Sequence, residues 1–282
     1  MTPTEVRALL ERFGLAPSRE RGQNFLVDAE VAAALAEATG VGTGDSVIEI
    51  GTGLGILTRA LAARGARVLG VEVDAGLVRA LRGASLLPDG AELRHADALE
   101  LDWPALVRER GATHVVGNLP YSISSPLLRQ LLDLRGALRG WSVMIQRDVA
   151  ERLLAGPGSK SYGSLSVLHQ LCVGVHKVRD LSPELFFPVP RVRSTFLRMQ
   201  PRADAPALPG GLSGVERVVR AAFGQRRKTL ANALAGAGLG GPEGEPAAAL
   251  CVRAGLDPRA RAESLPPEAF AALAAAVVGE GG

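Results

Sequence analysis

Ser46-Val47-Ile48-Glu49-Ile50-Gly51-Thr52-Gly53-Leu54-Gly55 places a β-branched, apolar run directly against three glycines at alternate positions. Its first half, Ser46–Gly51, reads as a strand buried on both faces, and the glycines end it in a tight turn ahead of a helical pattern. Strand character returns in Arg67–Asp74, Glu92–Asp97, Thr113–Leu119 and Trp141–Gln146, with helical patterns between. The clearest helix follows Ser125 as N-cap and Pro126 at the first helical position, with Leu127, Leu128, Leu131 and Leu132 on one face. This alternation predicts an α/β, doubly wound, mostly parallel sheet. Two later stretches, Val167–Val173 and Ser194–Gln200, read as strands that close the sheet with an antiparallel hairpin.

Composition then shifts. Gln200–Gly214 is rich in proline and glycine and reads as a linker. Beyond it lie helical patterns at Val215–Ala235, Pro246–Gly255 and Pro267–Val278, with a glycine-rich stretch at Gly236–Gly244. The expected division is therefore residues 1–203 as a ligand-binding sheet domain and 204–282 as a small helical domain. At the other end, Met1–Gly14 reads as an amphipathic helix with Val6, Leu9, Leu10 and Phe13 on one face, without the apolar core of a secretory signal.

With 47% hydrophobic and 22% charged residues over 282 positions, wholesale disorder is excluded. No apolar run reaches the roughly 18 residues of a membrane span. Two cysteines give no disulfide framework, and four histidines lack metal-ligand spacing, so neither a zinc site nor an oxidising compartment is expected. The net charge of +3 is unevenly spread. Arg179–Leu230 carries ten Lys/Arg against four Asp/Glu, a surplus of six, which leaves −3 for the rest. A basic segment on a near-neutral body suits either a polyanionic partner or a solvated arginine-rich face.

The glycine turn alone is weak evidence for a ligand. Glu72 sharpens it: it ends the second strand 21 residues after Gly51, where a carboxylate accepts from both hydroxyls of a ribose. Nicotinamide dinucleotides and S-adenosylmethionine both carry such a ribose. The spacing here is G-x-G-x-G rather than G-x-G-x-x-G, and Glu49 precedes it. An acid there opposes a pyrophosphate and suits the ammonium of a methionine moiety. Asp97, at the end of the third strand, is placed either to take an adenine amine or to cap a helix.

Asn118-Leu119-Pro120-Tyr121 follows the fourth strand, at the same edge. The exocyclic amine of a base is a poor nucleophile because its lone pair is delocalised into the ring. Two neutral acceptors that hold its N–H bonds favour a pyramidal nitrogen. The Asn118 side-chain oxygen and the Leu119 carbonyl fit that task, Pro120 stiffens the turn, and Tyr121 offers a stacking face. An Asx-Pro turn over a core tyrosine is the plainer reading of the same residues. Phe186 and Phe187 precede Pro188 and Pro190 on an extended loop; one ring is expected against a base and the other in the core.

Together these motifs resemble the bacterial small-subunit ribosomal RNA adenine dimethyltransferases. The resemblance runs through Gly22–Leu26, Glu49–Gly55 with Leu57-Thr58, Val71–Asp74, Asp97–Leu99 and Asn118–Tyr121. It continues in Gln146–Val149, Glu151–Leu153, Tyr162-Gly163, Phe186–Ser194 and Phe223–Leu234, and Arg19-Glu20-Arg21 departs from it by placing an acid between two basic residues. It implies a Rossmann-like class I methyltransferase sheet, S-adenosylmethionine as cofactor, and dimethylation of two adjacent adenines near the 3′ end of 16S ribosomal RNA. It also implies that Asn24 and Leu26 close over the cofactor, that Gly51 and Gly53 lie against it, and that Glu72 and Asp97 hold its ribose and adenine. Asn118 is then shared between cofactor and amine, with Tyr121 and Phe186 sandwiching the base. Arg226, Arg227 and Lys228, read as helical, with Arg217 and Arg220 and extended by Arg147 and Arg152, become the RNA-contacting cations. A metal, a membrane and a dimer are not expected, and the cytoplasm is the expected location. Three other readings compete: the large-subunit methylase of macrolide resistance, a nicotinamide-dependent dehydrogenase, and a non-enzymatic RNA-binding assembly factor.

Overall fold

The computed structural model describes residues 1–18, 22–120, 122–240 and 244–279. Two compact units emerge: Met1–Ala150 with His176–Pro201, and Glu151–Val175 with Arg202–Gly282.

In the first unit, α1 (Pro3–Arg12) precedes the two-residue strand β1 (Phe25–Leu26) and α2 (Ala29–Ala38). Strands and helices then alternate: β2 (Ser46–Ile50), α3 (Ile56–Ala63), β3 (Arg67–Glu72), α4 (Ala75–Gly83), β4 (Glu92–His95), α5 (Trp103–Arg110), β5 (His114–Asn118), α6 (Ser124–Asp133) and β6 (Gly140–Gln146). Helix α7 (Arg147–Leu154) follows and runs past the boundary of the unit. After α8 (Ser164–Cys172) come β7 (Val173–Leu181), β8 (Phe186–Phe187) and β9 (Ser194–Pro201).

The main sheet has the order β4-β3-β2-β5-β6-β9-β7. The five strands from β4 to β6 are parallel, and β9 is antiparallel to β6. This is the expected doubly wound sheet with antiparallel character at its end. Strand order reverses between β2 and β5, so a crevice opens beyond their carboxyl ends.

Local chemistry explains most boundaries. Asp28, Asp74 and Asp102 cap α2, α4 and α5 by accepting Val31, Gly76 and Ala105 amides at 2.9, 2.8 and 3.0 Å. Leu127, Leu128, Leu131 and Leu132 of α6 are fully buried, and trimming any one to alanine is expected to cost about 2–5 kcal/mol. This helix starts at Ser124 with Ile123 as its N-cap, so Ser125 and Pro126 lie within its first turn rather than opening it.

The expected strand Val167–Val173 is instead helix α8 up to Cys172, and β7 starts at Val173. An apolar run of this length satisfies either period. Here the Ser166 hydroxyl accepts the Gly163 amide at 3.1 Å, which closes a helical first turn.

That helix also changes the domain division. Residues 151–175 group with the C-terminal helices rather than with residues 1–203. Helix α8 packs on the C-terminal helices, and Tyr162 adds to this: it is fully buried and donates to the Leu265 carbonyl at 2.9 Å, and its ring meets Phe223, which stacks on Phe270. The second unit is completed by α9 (Gly211–Gly224), α10 (Leu230–Gly236), α11 (Ala247–Arg253) and α12 (Pro267–Val278). The expected helix over 215–235 is thus two helices, with Gln225–Thr229 between them. No helix among the described residues is long and apolar enough to cross a membrane.

Candidate active site

The crevice beyond β2 and β5 is a pocket lined by Asn24, Leu26, Glu49, Gly51, Gly53, Glu72, Asp97, Asn118, Leu119 and Phe186, among others. Ten residues scattered over the sequence are therefore brought to one place by the strand order. Tyr121, expected beside them, lies outside the described residues, as do Arg19, Glu20 and Arg21.

The floor is backbone. Gly51 has φ +73°, and a Cβ there would stand 3.2 Å from the Asn118 carbonyl. Gly53 has φ +56°, and a Cβ would press on the Phe25 ring at 3.2 Å. Both conditions favour glycine and let a ligand approach the main chain. No side chain caps α3, whose N-cap Gly55 has φ 72°. Its first-turn amides are therefore left to the turn and the pocket. Thr52, only 4% exposed, leaves its hydroxyl without a hydrogen-bond partner.

Two acids stand at the walls. Glu72 is 5% exposed and accepts the Gly53 amide at 2.9 Å on one oxygen and the Asp74 amide at 3.0 Å on the other. Each oxygen keeps further acceptor capacity. Burial raises its carboxyl above the ordinary range against those two bonds. Glu49 is 1% exposed and is pushed up to about 8, chiefly by burial, although the Thr58 hydroxyl donates to it at 2.5 Å. Glu72 adds to the rise and Arg59 opposes it. Asp97 is half-buried and accepts the Leu99 amide at 2.8 Å in a turn rather than as a helix cap. No lysine, arginine or histidine lines the pocket among the described residues.

Asn118 ends β5, and its Nδ2 donates to the Asn24 carbonyl at 3.0 Å. Leu119 is buried and is tied to Met144 through its amide at 2.9 Å. Gly22–Leu26, which enters the sequence reading only through the family resemblance, ends in β1, which runs against β8 and pairs Phe25 with Phe187 and Leu26 with Phe186. Two-residue strands carry no periodicity that a sequence reading can use. Phe186 lines the pocket while buried in the main core with Leu26. Phe187 is half-buried, packs on the α1 cluster, and has the Arg7 guanidinium 5.7 Å from its ring centre.

The expected RNA-contacting cations lie elsewhere. Arg147, at the start of α7, belongs to the first unit; the other six belong to the second. All seven are exposed. Arg226, Arg227 and Lys228 form a turn after α9 rather than a helix, because the helix ends at Gly224 and Gln225 departs from helical angles. Arg226 is bound within its own unit, to the carbonyls of Lys160 and Tyr162 at 3.1 and 3.3 Å and to Glu263 at 3.3 Å. Arg220 pairs with Glu216 at 2.6 Å.

A doubly wound sheet with an acid-lined pocket at its switch point defines a class I methyltransferase fold. Residues 17–276 match the model of the family described as ribosomal RNA adenine dimethylase, and the chain belongs to that family. It is 42% identical over 276 residues to the ribosomal RNA small subunit methyltransferase A of Rhodospirillum rubrum, covering 96% of this chain and 92% of that one. With the protein of the same name from Anaeromyxobacter sp. strain K it is 44% identical over 278 residues, covering 95% of each. Among solved structures it is similar to a dimethyladenosine transferase from Plasmodium falciparum, with a TM-score of 0.74, 23% identity, and coverage of 88% of this chain and 95% of that one.

Proposed function

We propose that the protein dimethylates the exocyclic amines of two adjacent adenines near the 3′ end of 16S ribosomal RNA, with S-adenosylmethionine as methyl donor. One observation carries the choice of donor: the pocket holds three acids and, among the described residues, no base. A pyrophosphate finds no counter-charge there, whereas a cationic nucleoside finds an acid at each required point. The glycine floor fits the same occupant. When bound, that group supplies an electrophilic methyl carbon on a sulfonium.

The remaining chemistry belongs to the chain. Glu72 has acceptor capacity on both oxygens for the two ribose hydroxyls. The free lone pairs of Asp97 face an adenine amine. Glu49 takes the methionine ammonium, and a cation beside it reverses the effect of burial, so it loses its proton as the ligand enters. Asn24 and Leu26 close the methionine end, against Gly51 and Gly53.

At the reacting centre, Asn118 Oδ1 and the Leu119 carbonyl accept the two N–H bonds of the target amine. As the nitrogen becomes tetrahedral its N–H bonds grow more acidic, so both acceptors bind the transition state more tightly than the ground state. No strong base is required, because the product's proton passes to water. Phe186, which lines the pocket, and Tyr121, assigned from its place in the sequence alone, would flank the base on its two faces. After two transfers the amine has no N–H left to donate, so both acceptors lose their partner and the product is released.

Exposed Arg217, Arg220, Arg227 and Lys228, with Arg147 and Arg152, would contact phosphates. Arg226 is already held by two carbonyls and Glu263, and Arg220 already pairs with Glu216. Such contacts add salt-dependent affinity, leaving specificity to RNA shape. We place the protein in the cytoplasm, acting as a monomer on the small subunit during its maturation, with Met1–Ala150 and His176–Pro201 holding the cofactor and Glu151–Val175 with Arg202–Gly282 supplying most of the RNA contacts.

The test is mass analysis of ribosomal RNA after incubation of isolated subunits with protein and labelled donor. Two dimethylated adjacent adenines in small-subunit RNA are expected. Label confined to large-subunit RNA, or RNA binding without transfer, would overturn the proposal.

A further inference from the structure

The Asn118 amide can lie in either of two orientations, and only one turns its oxygen to the amine. Its Nδ2 donates to the Asn24 carbonyl at 3.0 Å. A carbonyl cannot face Oδ1, so the position of that carbonyl decides the orientation. Asn24 lines the pocket and is held downstream by the pairing of β1 with β8. Upstream it is held by Gln23.

Gln23 uses both ends of its amide. Nε2 donates to Asp74 Oδ2 at 2.9 Å, and Oε1 accepts the Ser18 amide at 2.8 Å. Its own backbone N–H donates to the Ser18 carbonyl at 3.0 Å. Asp74 is in turn fixed: Oδ1 caps α4 through Gly76 and Leu77, and its amide donates to Glu72 Oε1 at 3.0 Å. An unbroken path of hydrogen bonds and one peptide unit therefore runs from Glu72 through Asp74, Gln23 and Asn24 to Asn118. Glutamine suits the position because it donates to a carboxylate and accepts from an amide at once. Glutamate would set a carboxylate on a carboxylate, and lysine has no acceptor.

We propose that Gln23 is a positioning residue: its link to Asp74 holds the Asn24 carbonyl where it turns the Asn118 oxygen toward the reacting amine. The inference rests on the reading of Asn118 as acceptor given above.

The test is a charge swap. Gln23→Glu alone opposes two carboxylates. Asp74→Asn alone keeps the helix cap through its oxygen but turns an NH2 toward the Gln23 NH2. The double variant restores the bond with donor and acceptor exchanged, because the new amide at position 74 donates to the new carboxylate at position 23, whose other oxygen still accepts the Ser18 amide. Each single change is expected to lower kcat by about ten- to thirty-fold, since an acceptor displaced by a fraction of an ångström loses alignment. The dissociation constant for S-adenosylmethionine, read by calorimetry, is expected to stay within about three-fold, and the double variant to recover to within about three-fold of the parent.

Gln23→Ala, with no new charge, serves if Gln23→Glu does not fold. Unchanged kcat in the single variants, an unrescued double variant, or loss of cofactor affinity in parallel with kcat would each overturn the proposal. Asn118→Ala measured alongside separates the two ideas. If it retains kcat, the acceptor reading fails. If it loses kcat while the Gln23 and Asp74 variants do not, only the present inference fails.

Discussion

Asp45 stands just before β2 and Glu49 lies near its far end, and they meet opposite surroundings. At the amino edge of the sheet Asp45 accepts the Gly42 amide at 3.0 Å, the Thr113 hydroxyl at 3.1 Å and the Arg139 guanidinium at 3.0 Å. Burial works to raise its carboxyl, yet the Gly42 amide, Thr113, His114 and Arg139 together hold it below its ordinary value. At the carboxyl edge Glu49 and Glu72 are buried with no cation lining the pocket among the described residues, and both are raised. The same kind of group thus meets a paired cation at one edge and hydrogen-bond donors alone at the other. An acid that the fold does not neutralise costs stability, and it persists where binding needs it.

The largest expected effect lies at the carboxyl edge. Asn118→Ala should cut methyl transfer by about 10²–10³-fold, as removal of one preorganised transition-state partner does elsewhere. RNA affinity, measured by filter binding, should stay within about two-fold. Equal loss of both would make Asn118 structural and break the contrast between the edges.

Exchanging the edges is the next test. Glu72→Ala should weaken S-adenosylmethionine by about 10–100-fold, the worth of one or two charged hydrogen bonds. Asp45→Ala should leave that affinity unchanged and lower the melting temperature, by about 1–3 kcal/mol of stability, because it strips partners from Thr113 and Arg139. Calorimetry and thermal denaturation of both variants read the two outcomes.

Opposite pH responses sharpen the contrast further. Glu49 has a folded value of about 8 against an ordinary 4.5. Its contribution is fully present below 4.5 and is lost as pH rises through 8. Glu49→Gln should therefore match the parent at about pH 4 and exceed it by about 4–5 kcal/mol at about pH 9, in chemical denaturation without ligand. Asp45, held low, contributes above the ordinary carboxylate range and loses that contribution as pH falls through its lowered folded value.

The smallest effect is expected away from the sheet. Arg227→Ala with Lys228→Ala should weaken RNA binding several-fold and reduce the salt slope by about one for each phosphate no longer neutralised. An unchanged slope would move the polyanion surface elsewhere.

The sheet was legible because parallel strands buried on both faces leave near-continuous apolar runs, and Val47-Ile48 and Val115-Val116 are such runs. Glu49, Glu72, Asp97 and Asn118 were legible because each sits where a strand ends, and strand ends in this topology share one edge. The register of Val167–Cys172 was not, because a short apolar run fits two periods and only packing chooses between them. Nor was the membership of residues 151–175, which turns on the packing of α8 against α9 and α12, with Tyr162 reaching Leu265.

Sequence alone determined the strand-and-helix alternation, the acids at the strand tips and the asparagine that follows them. These depend on neighbours a few positions apart, where periodicity and turn chemistry act. Only the tertiary structure decided that Gln23 grips Asp74, that the Asn118 amide donates to the Asn24 carbonyl, and that Arg226 is held by its own unit. Those bonds join residues tens of positions apart, and their geometry exists only once the chain has closed on itself.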